Sequence, residues 1–337
     1  MHKCRQSTWI YSLVIALLSL TVAARSLPSF QVDIKQSSVS GFSSGAFMAV
    51  QMHIAHAAIM QGVGVIAGGP YYCAQGSMQR ALYTCMRASP DIAPLLDVVK
   101  LWAAQGLIDD PQHLARQRVW LFSSPQDPLL HSSVMDALYD FYRAFINSQQ
   151  IVYQRSLATG HAHITLNYGS RCDFNGGDYI NRCHYDAAGE ILQAIYGPLQ
   201  ARNQGSLSGK FIAFDQQAFA DFPTASIGLA DTGYLYVPAS CLAGEKPCRV
   251  HIVFHGCKQS ATRIGDRFYR HAGYNRWADS NHLIILYPQT LATWTFPFNP
   301  HGCWDWWGYT NANYPHKHGL QIAAVRAMLA RLSAARD

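Results

Sequence analysis

Gly41-Phe42-Ser43-Ser44-Gly45 is a G-x-S-x-G stretch, and its flanks decide how it reads. Ser37 to Ser40, just upstream, suits a short buried strand. Ala46 to Met60, just downstream, is apolar on most sides and lacks Gly and Pro, so it suits a buried helix. Strand, tight turn and helix are the setting of a nucleophile elbow, which stands a serine Oγ clear of the backbone. Glycines two before and two after the serine leave room for the bend. That register selects Ser43, because Ser44 has Phe42 and Ala46 at the same offsets.

Outward from the elbow, strand and helix signals alternate. Candidate strands are Val63 to Ala67, Val119 to Phe122, Ile151 to Leu157, Phe211 to Phe214, Gly233 to Val237, Val250 to Phe254 and Leu283 to Tyr287. Candidate helices are Pro90 to Gln105, Ser132 to Phe145, Tyr185 to Tyr196, Phe268 to Ala278 and Leu320 to Leu332. The polar stretch from Gly197 to Gly209 reads as a connection between two halves. Short apolar runs between helices predict an α/β fold with a mostly parallel sheet flanked by helices.

A serine hydroxyl needs a histidine base, a carboxylate to orient that base, and amides for the oxyanion. On hydrolase sheets these follow in the order serine, acid, histidine, on loops after strands. Asp127 ends the polar turn after Val119–Phe122, and His161 lies in the loop after Ile151–Leu157. Asp109 and Asp110 are rivals but precede Pro111 in a turn that follows a helix. His163 competes with His161, which is favoured because it lies nearer the strand end and Gly160 frees its loop. One oxyanion amide is expected from Ser44. The other is expected in a His-Gly loop, and His255-Gly256-Cys257 supplies that mark. It lies far C-terminal to Ser43, the reverse of the common hydrolase order, as a circular permutation would place it.

These residues resemble the secreted, single-domain, circularly permuted poly(3-hydroxybutyrate) depolymerases. The matching stretches are Ser40 to Ala49, Gly160-His161-Ala162, Tyr179 to Asp186, Phe254 to Ser260, Gly273 to Asp279, Leu286 to Gln289 and Asn299 to Gly308. The resemblance implies an α/β-hydrolase fold with Ser43 as nucleophile, Asp127 as acid, His161 as base, and the N–H groups of Ser44 and Cys257 as oxyanion hole. It also implies that an aromatic residue of the Cys303–Trp307 loop borders the crevice. Trp304, Trp306 and Trp307 are the candidates, with at least one of them expected in the core. The implied substrate is poly(3-hydroxybutyrate) or its oligomers, with no cofactor and no metal. The alternatives to this reading are a general carboxylesterase and a catalytically silent polymer-binding protein. Many secreted depolymerases add a polymer-adhesion module. This sequence offers none, so adsorption is expected on apolar side chains of the catalytic domain, unless the substrate is soluble.

Composition agrees with an exported enzyme. The chain has 337 residues, 14% of them charged, and a net charge of +6 without a basic run, so neither disorder nor nucleic-acid binding is expected. Lys3 and Arg5 precede the apolar stretch Leu13 to Ala23, and Val22-Ala23-Ala24 offers small residues for cleavage before Arg25. Residues 1–24 therefore read as a signal peptide, and residues 25–337 as one catalytic domain. A secreted monomer without stable membrane association is expected. Of nine cysteines, Cys4 falls in the leader and eight remain. Proximity pairs Cys73 with Cys85, Cys172 with Cys183 and Cys241 with Cys248, leaving Cys257 with Cys303. No zinc-ligand spacing is present.

Overall fold

The computed structural model describes residues 26–244 and 246–336. The signal peptide read at residues 1–24 lies outside the described residues. Eleven strands form among those described. They are β1 (Ser37–Phe42), β2 (Met60–Ile66), β3 (Arg118–Phe122), β4 (Ile151–Gln154), β5 (His163–Thr165), β6 (Ser170–Arg171), β7 (Ile180–Arg182), β8 (Lys210–Asp215), β9 (Thr232–Val237), β10 (Arg249–Phe254) and β11 (Leu283–Tyr287). Eight make one sheet in the order β4-β3-β2-β1-β10-β11-β9-β8, and β5, β7 and β6 make a small second sheet. From β4 to β11 every neighbour is parallel; β9 then runs antiparallel to both β11 and β8. β1 and β11 are buried along their whole length, as strands covered by helices on both faces must be. This is the architecture of an α/β-hydrolase, with β1, which carries the elbow, near its centre.

β1 is rich in serine, and β10 explains why this is tolerated. Ser38 lies opposite His251 in the parallel register. The His251 ring bonds the Ser38 hydroxyl at Nδ1 (2.6 Å) and the Ser40 hydroxyl at Nε2 (2.8 Å). Ser38 Oγ also meets Tyr196 Oη, and Ser40 Oγ donates to Tyr274 Oη. Tyr196 closes the Ala187–Tyr196 helix and Tyr274 opens the Tyr274–Ser280 helix. A buried polar network thus fastens the elbow strand to its neighbour and to two helices. Fully satisfied, such a network specifies one register.

Several elements differ from expectation. The helix after the elbow, α1 (Ser44–Ala55), ends five residues early, and a short 3₁₀ turn leads directly into β2. β4 stops at Gln154 rather than Leu157. The helix foreseen over Phe268–Ala278 is broken at Gly273 (φ +99°) into Arg267–His271 and Tyr274–Ser280. The second sheet was not foreseen. Its strands are two or three residues long, too short to show a period. Residues 197–209 do connect the halves, but they are bound down: the Asn203 N–H donates to the Arg276 carbonyl, and the Gln200 N–H to Asn281 Oδ1. One sheet runs through both halves.

Five buried histidines give this fold an acid limit. Burial, the largest cause in each case, lowers the pKa of His53 and His251 to about 3 and of His56, His163 and His255 to about 4, from 6.5. Between those values the unfolded chain binds protons that the folded chain refuses, so stability falls as pH drops below 6.5. The slope reaches about 1.4 kcal/mol per pH unit for each histidine. Urea denaturation at steps from about pH 7 to about pH 4.5 is expected to show this decline; a flat profile would contradict it.

Candidate active site

Ser43 sits where β1 ends and α1 begins, with φ +55° and ψ −123°. A non-glycine residue is costly there and persists only where its surroundings over-determine it. Both glycines of the motif do so through close approach. A Cβ on Gly41 would lie 2.0 Å from the Gly45 carbonyl oxygen, and one on Gly45 would lie 2.3 Å from the His255 oxygen at the end of β10. The Ser43 N–H is tied to the Ile66 carbonyl at the end of β2. The hydroxyl is left partly accessible, while Ser44 behind it is buried.

His161 Nε2 lies 2.9 Å from Ser43 Oγ, and His161 Nδ1 lies 2.7 Å from Asp127 Oδ2. The other carboxylate oxygen accepts the N–H groups of Leu129 (2.8 Å) and Leu130 (2.9 Å). A carboxylate so occupied is an acceptor, which puts the imidazole proton on Nδ1 and leaves Nε2 bare toward the serine. Both side chains are nearly sealed, His161 at 6% exposure and Asp127 at 3%. Asp109 instead pairs with Lys317, and Asp110 caps a 3₁₀ turn. His163 points away, bonded to the Ala272 carbonyl.

The loops carrying Asp127 and His161 are locked together by Ser124, to which sequence reasoning assigned no role. Ser124 Oγ donates to the Thr159 carbonyl (2.7 Å) and accepts the N–H groups of Thr159 (2.8 Å) and Gln126 (3.1 Å). Gly160 is there for a different reason than loop freedom: a Cβ would stand 2.3 Å from the Phe174 carbonyl oxygen.

Opposite this row lies the loop after β10. The Ser44 N–H opens α1, where helical amides have no acceptor of their own. Around Cys257 the backbone is held at several points. The Gly256 N–H donates to Gln259 Oε1, and the Lys258 N–H to the His301 carbonyl. Gln259 Nε2 donates to the carbonyls of Asp178 and Tyr179. His255, buried and kept neutral, accepts the Thr290 N–H at Nε2. Cys257 is bonded to Cys303; the other disulfides join Cys73 to Cys85, Cys172 to Cys183 and Cys241 to Cys248.

A crevice of about 440 Å³ opens over Ser43 and His161. Phe42, Phe47, Leu130, Trp306 and Trp307 give it an apolar wall, and Cys257 lies on its rim. Trp306 stacks on Phe47 with ring centroids 4.0 Å apart. Trp304 corrects the expectation for the tryptophan loop: it is fully buried beneath the site, packed on Phe254 and His255, and does not reach the crevice. Asp305 shapes the loop between them. Its buried carboxylate accepts the N–H groups of Gly308, Tyr309 and Thr310. The resemblance included Gln259 and Asp305 within its motifs, but spacing alone gave neither a role. Ser124→Ala strips two buried backbone groups of Thr159 of their partner. It is expected to cost about 2–3 kcal/mol in chemical denaturation, and a change under about 0.5 kcal/mol would refute the clamp.

No protein-family model matches the chain. It is 44% identical to a poly(3-hydroxybutyrate) depolymerase of Delftia acidovorans over 92% of this chain; the match spans 62% of that longer relative. It is 37% identical to a polyhydroxybutyrate depolymerase of Talaromyces funiculosus, covering 93% of this chain and 94% of the relative. Two solved structures superpose with TM-score 0.85 at 35% identity, over 91% of this chain and 98% of theirs. One is the PHB depolymerase of Penicillium funiculosum, and the other is a serine-to-alanine variant of a PHB depolymerase complexed with an R3HB trimer. Similarity of this extent across nearly all of the Talaromyces protein means that the chain belongs to the poly(3-hydroxybutyrate) depolymerase family.

Proposed function

We propose that this chain is a secreted serine esterase that hydrolyses poly(3-hydroxybutyrate) or its short oligomers through an acyl-enzyme. The observation that carries the reading is the continuous hydrogen-bond row from Asp127 through His161 to Ser43 at the floor of an apolar crevice. Ser43 attacks the ester carbonyl while His161 Nε2 takes its proton. The N–H groups of Ser44 and Cys257 receive the oxyanion. His161 then protonates the departing alcohol, and a water that it activates releases the acid. Asp127 holds the tautomer and stabilises the imidazolium. A methyl-bearing, uncharged polyester suits a wall built from Phe47, Trp306 and Trp307.

The catalytic unit is residues 25–337, with a chain order permuted relative to the common hydrolase plan. The proposed working unit is a monomer. The leader read at residues 1–24 and four disulfides suit an oxidising, extracytoplasmic compartment. No helix among the described residues is long and apolar enough to cross a membrane.

The crevice mouth supports a reading of the substrate's physical state. Phe298, Met78 and Leu82 line it yet remain about half exposed, and Trp294 and Phe296 beside them are 75% and 83% exposed. Apolar side chains concentrated at one mouth mark an interaction surface, and here the reading is adsorption to solid polymer.

Ser43→Ala is expected to cut hydrolysis of hydroxybutyrate trimer by about 10⁴-fold or more, and Asp127→Asn by about 10⁴-fold. Retention of most activity by Ser43→Ala would end the proposal. Replacing Trp294 and Phe296 by serine is expected to lower the ratio of film hydrolysis to trimer hydrolysis about tenfold. An unchanged ratio would leave soluble oligomers as the substrate.

A further inference from the structure

Among the residues lining the crevice, none is acidic and Lys258 alone carries a permanent charge. A neutral polyester gives such a charge nothing to do. Lys258 is half-buried, follows Cys257 directly, and holds φ +65°, a conformation that glycine would adopt at lower cost. It enters no ion pair among the described residues. Its ammonium lies 5.8 Å from the centroid of the Tyr179 ring, and that ring stands 6.4 Å from the His161 ring. Tyr179 thus stands between the positive charge and the ring of His161. His301 is on the same wall, and its pKa is pushed down by burial and by the charges of Lys258 and Arg263. That marks the surroundings as electropositive.

We infer that Lys258 determines specificity by receiving the terminal carboxylate of a hydroxyalkanoate chain, so that short oligomers bind with their carboxyl end in the leaving-group half of the crevice. The inference rests on the esterase reading above. A 3-hydroxybutyrate oligomer has two different ends: a hydroxyl on the acyl side of every ester, and a carboxylate on the alcohol side. When Ser43 attacks, the acyl C–O bond breaks and the alkoxide takes the proton from His161. The departing fragment is then a hydroxy acid whose free carboxylate is the group Lys258 holds. Such a charge-assisted contact adds an end preference that the apolar wall cannot provide.

The test compares the free acid and the methyl ester of the hydroxybutyrate trimer, on wild type, Lys258→Met and Lys258→Arg. Wild type at low ionic strength is expected to favour the acid by about fivefold in kcat/KM, and the ratio should fall toward unity in about 0.5 M salt. Lys258→Met should bring the ratio near one, and Lys258→Arg should retain most of it. Using the ratio cancels any general loss from a disturbed loop. Equal rates on acid and ester by wild type would overturn the inference while leaving the esterase reading standing. So would a Lys258→Met variant that slows both substrates by the same factor. Failure of wild type to cut either trimer, while it cuts other esters, would remove the substrate reading and this inference together.

Discussion

The positive φ of Ser43 is the constraint from which the site follows. A serine relaxed into an ordinary strand or helix conformation would turn its hydroxyl away from His161. Three backbone segments prevent this: the Ser43 amide is bonded to the end of β2, Gly41 is pressed against the start of α1, and Gly45 is pressed against the end of β10. The last of these contacts matters twice. It fixes the elbow, and it brings the Ser44 amide beside the loop that carries Cys257. One packing event thus sets Ser43 and both amides proposed for the oxyanion, even though their loops come from opposite halves of the chain.

Buried polar side chains around the site bond mostly to backbone. Ser124, Gln259 and Asp305 each grip three main-chain groups of loops that would otherwise be held by little regular structure. Backbone groups sealed from water must be paired, so each grip is also what lets its loop be buried. Deleting one of these side chains therefore removes a contact and strands backbone groups together. Loops held in this way act as rigid parts, and catalytic geometry is sensitive to displacements of about 1 Å.

Much of this was legible in the sequence because the fold's main signals are local. The G-x-S-x-G stretch, the apolar runs of the central strands, and the polar turns ending at Asp127 and His161 each announce themselves within a few residues. The close spacing of three cysteine pairs made their bonding readable, and elimination gave the fourth. Whatever depends on contact between distant segments was not legible. Nothing near Ser38 or Ser40 in sequence indicates that His251 will satisfy them, and nothing near Ser124 indicates Thr159 as its partner. Trp304, Trp306 and Trp307 look alike in the chain, yet the first lies under the site and the others on its wall. The difference is made by Asp305, whose carboxylate folds the following turn back on itself.

The side of the site proposed to hold the oxyanion is the more heavily constrained, and this bears on how the proposed reaction would gain its rate. The Cys257 segment is held by a disulfide to Cys303, by the Lys258–His301 backbone bond, by Gln259 from within, and by His255 braced on Thr290. These ties differ in chemistry, and they reach the 301–303 loop, Thr290 and the 178–179 segment, so loosening one leaves the others. Donors fixed before substrate arrives need not reorganise when charge develops, and this preorganisation accounts for much of the power of such holes. The base side is built to a different rule. His161 has Asp127 behind it and the ring of Phe42 at 4.7 Å, which orient the imidazole while leaving Nε2 to exchange a proton. A rigid cradle facing a histidine that only has to pass one proton back and forth suits the large, uncharged polyester proposed as substrate.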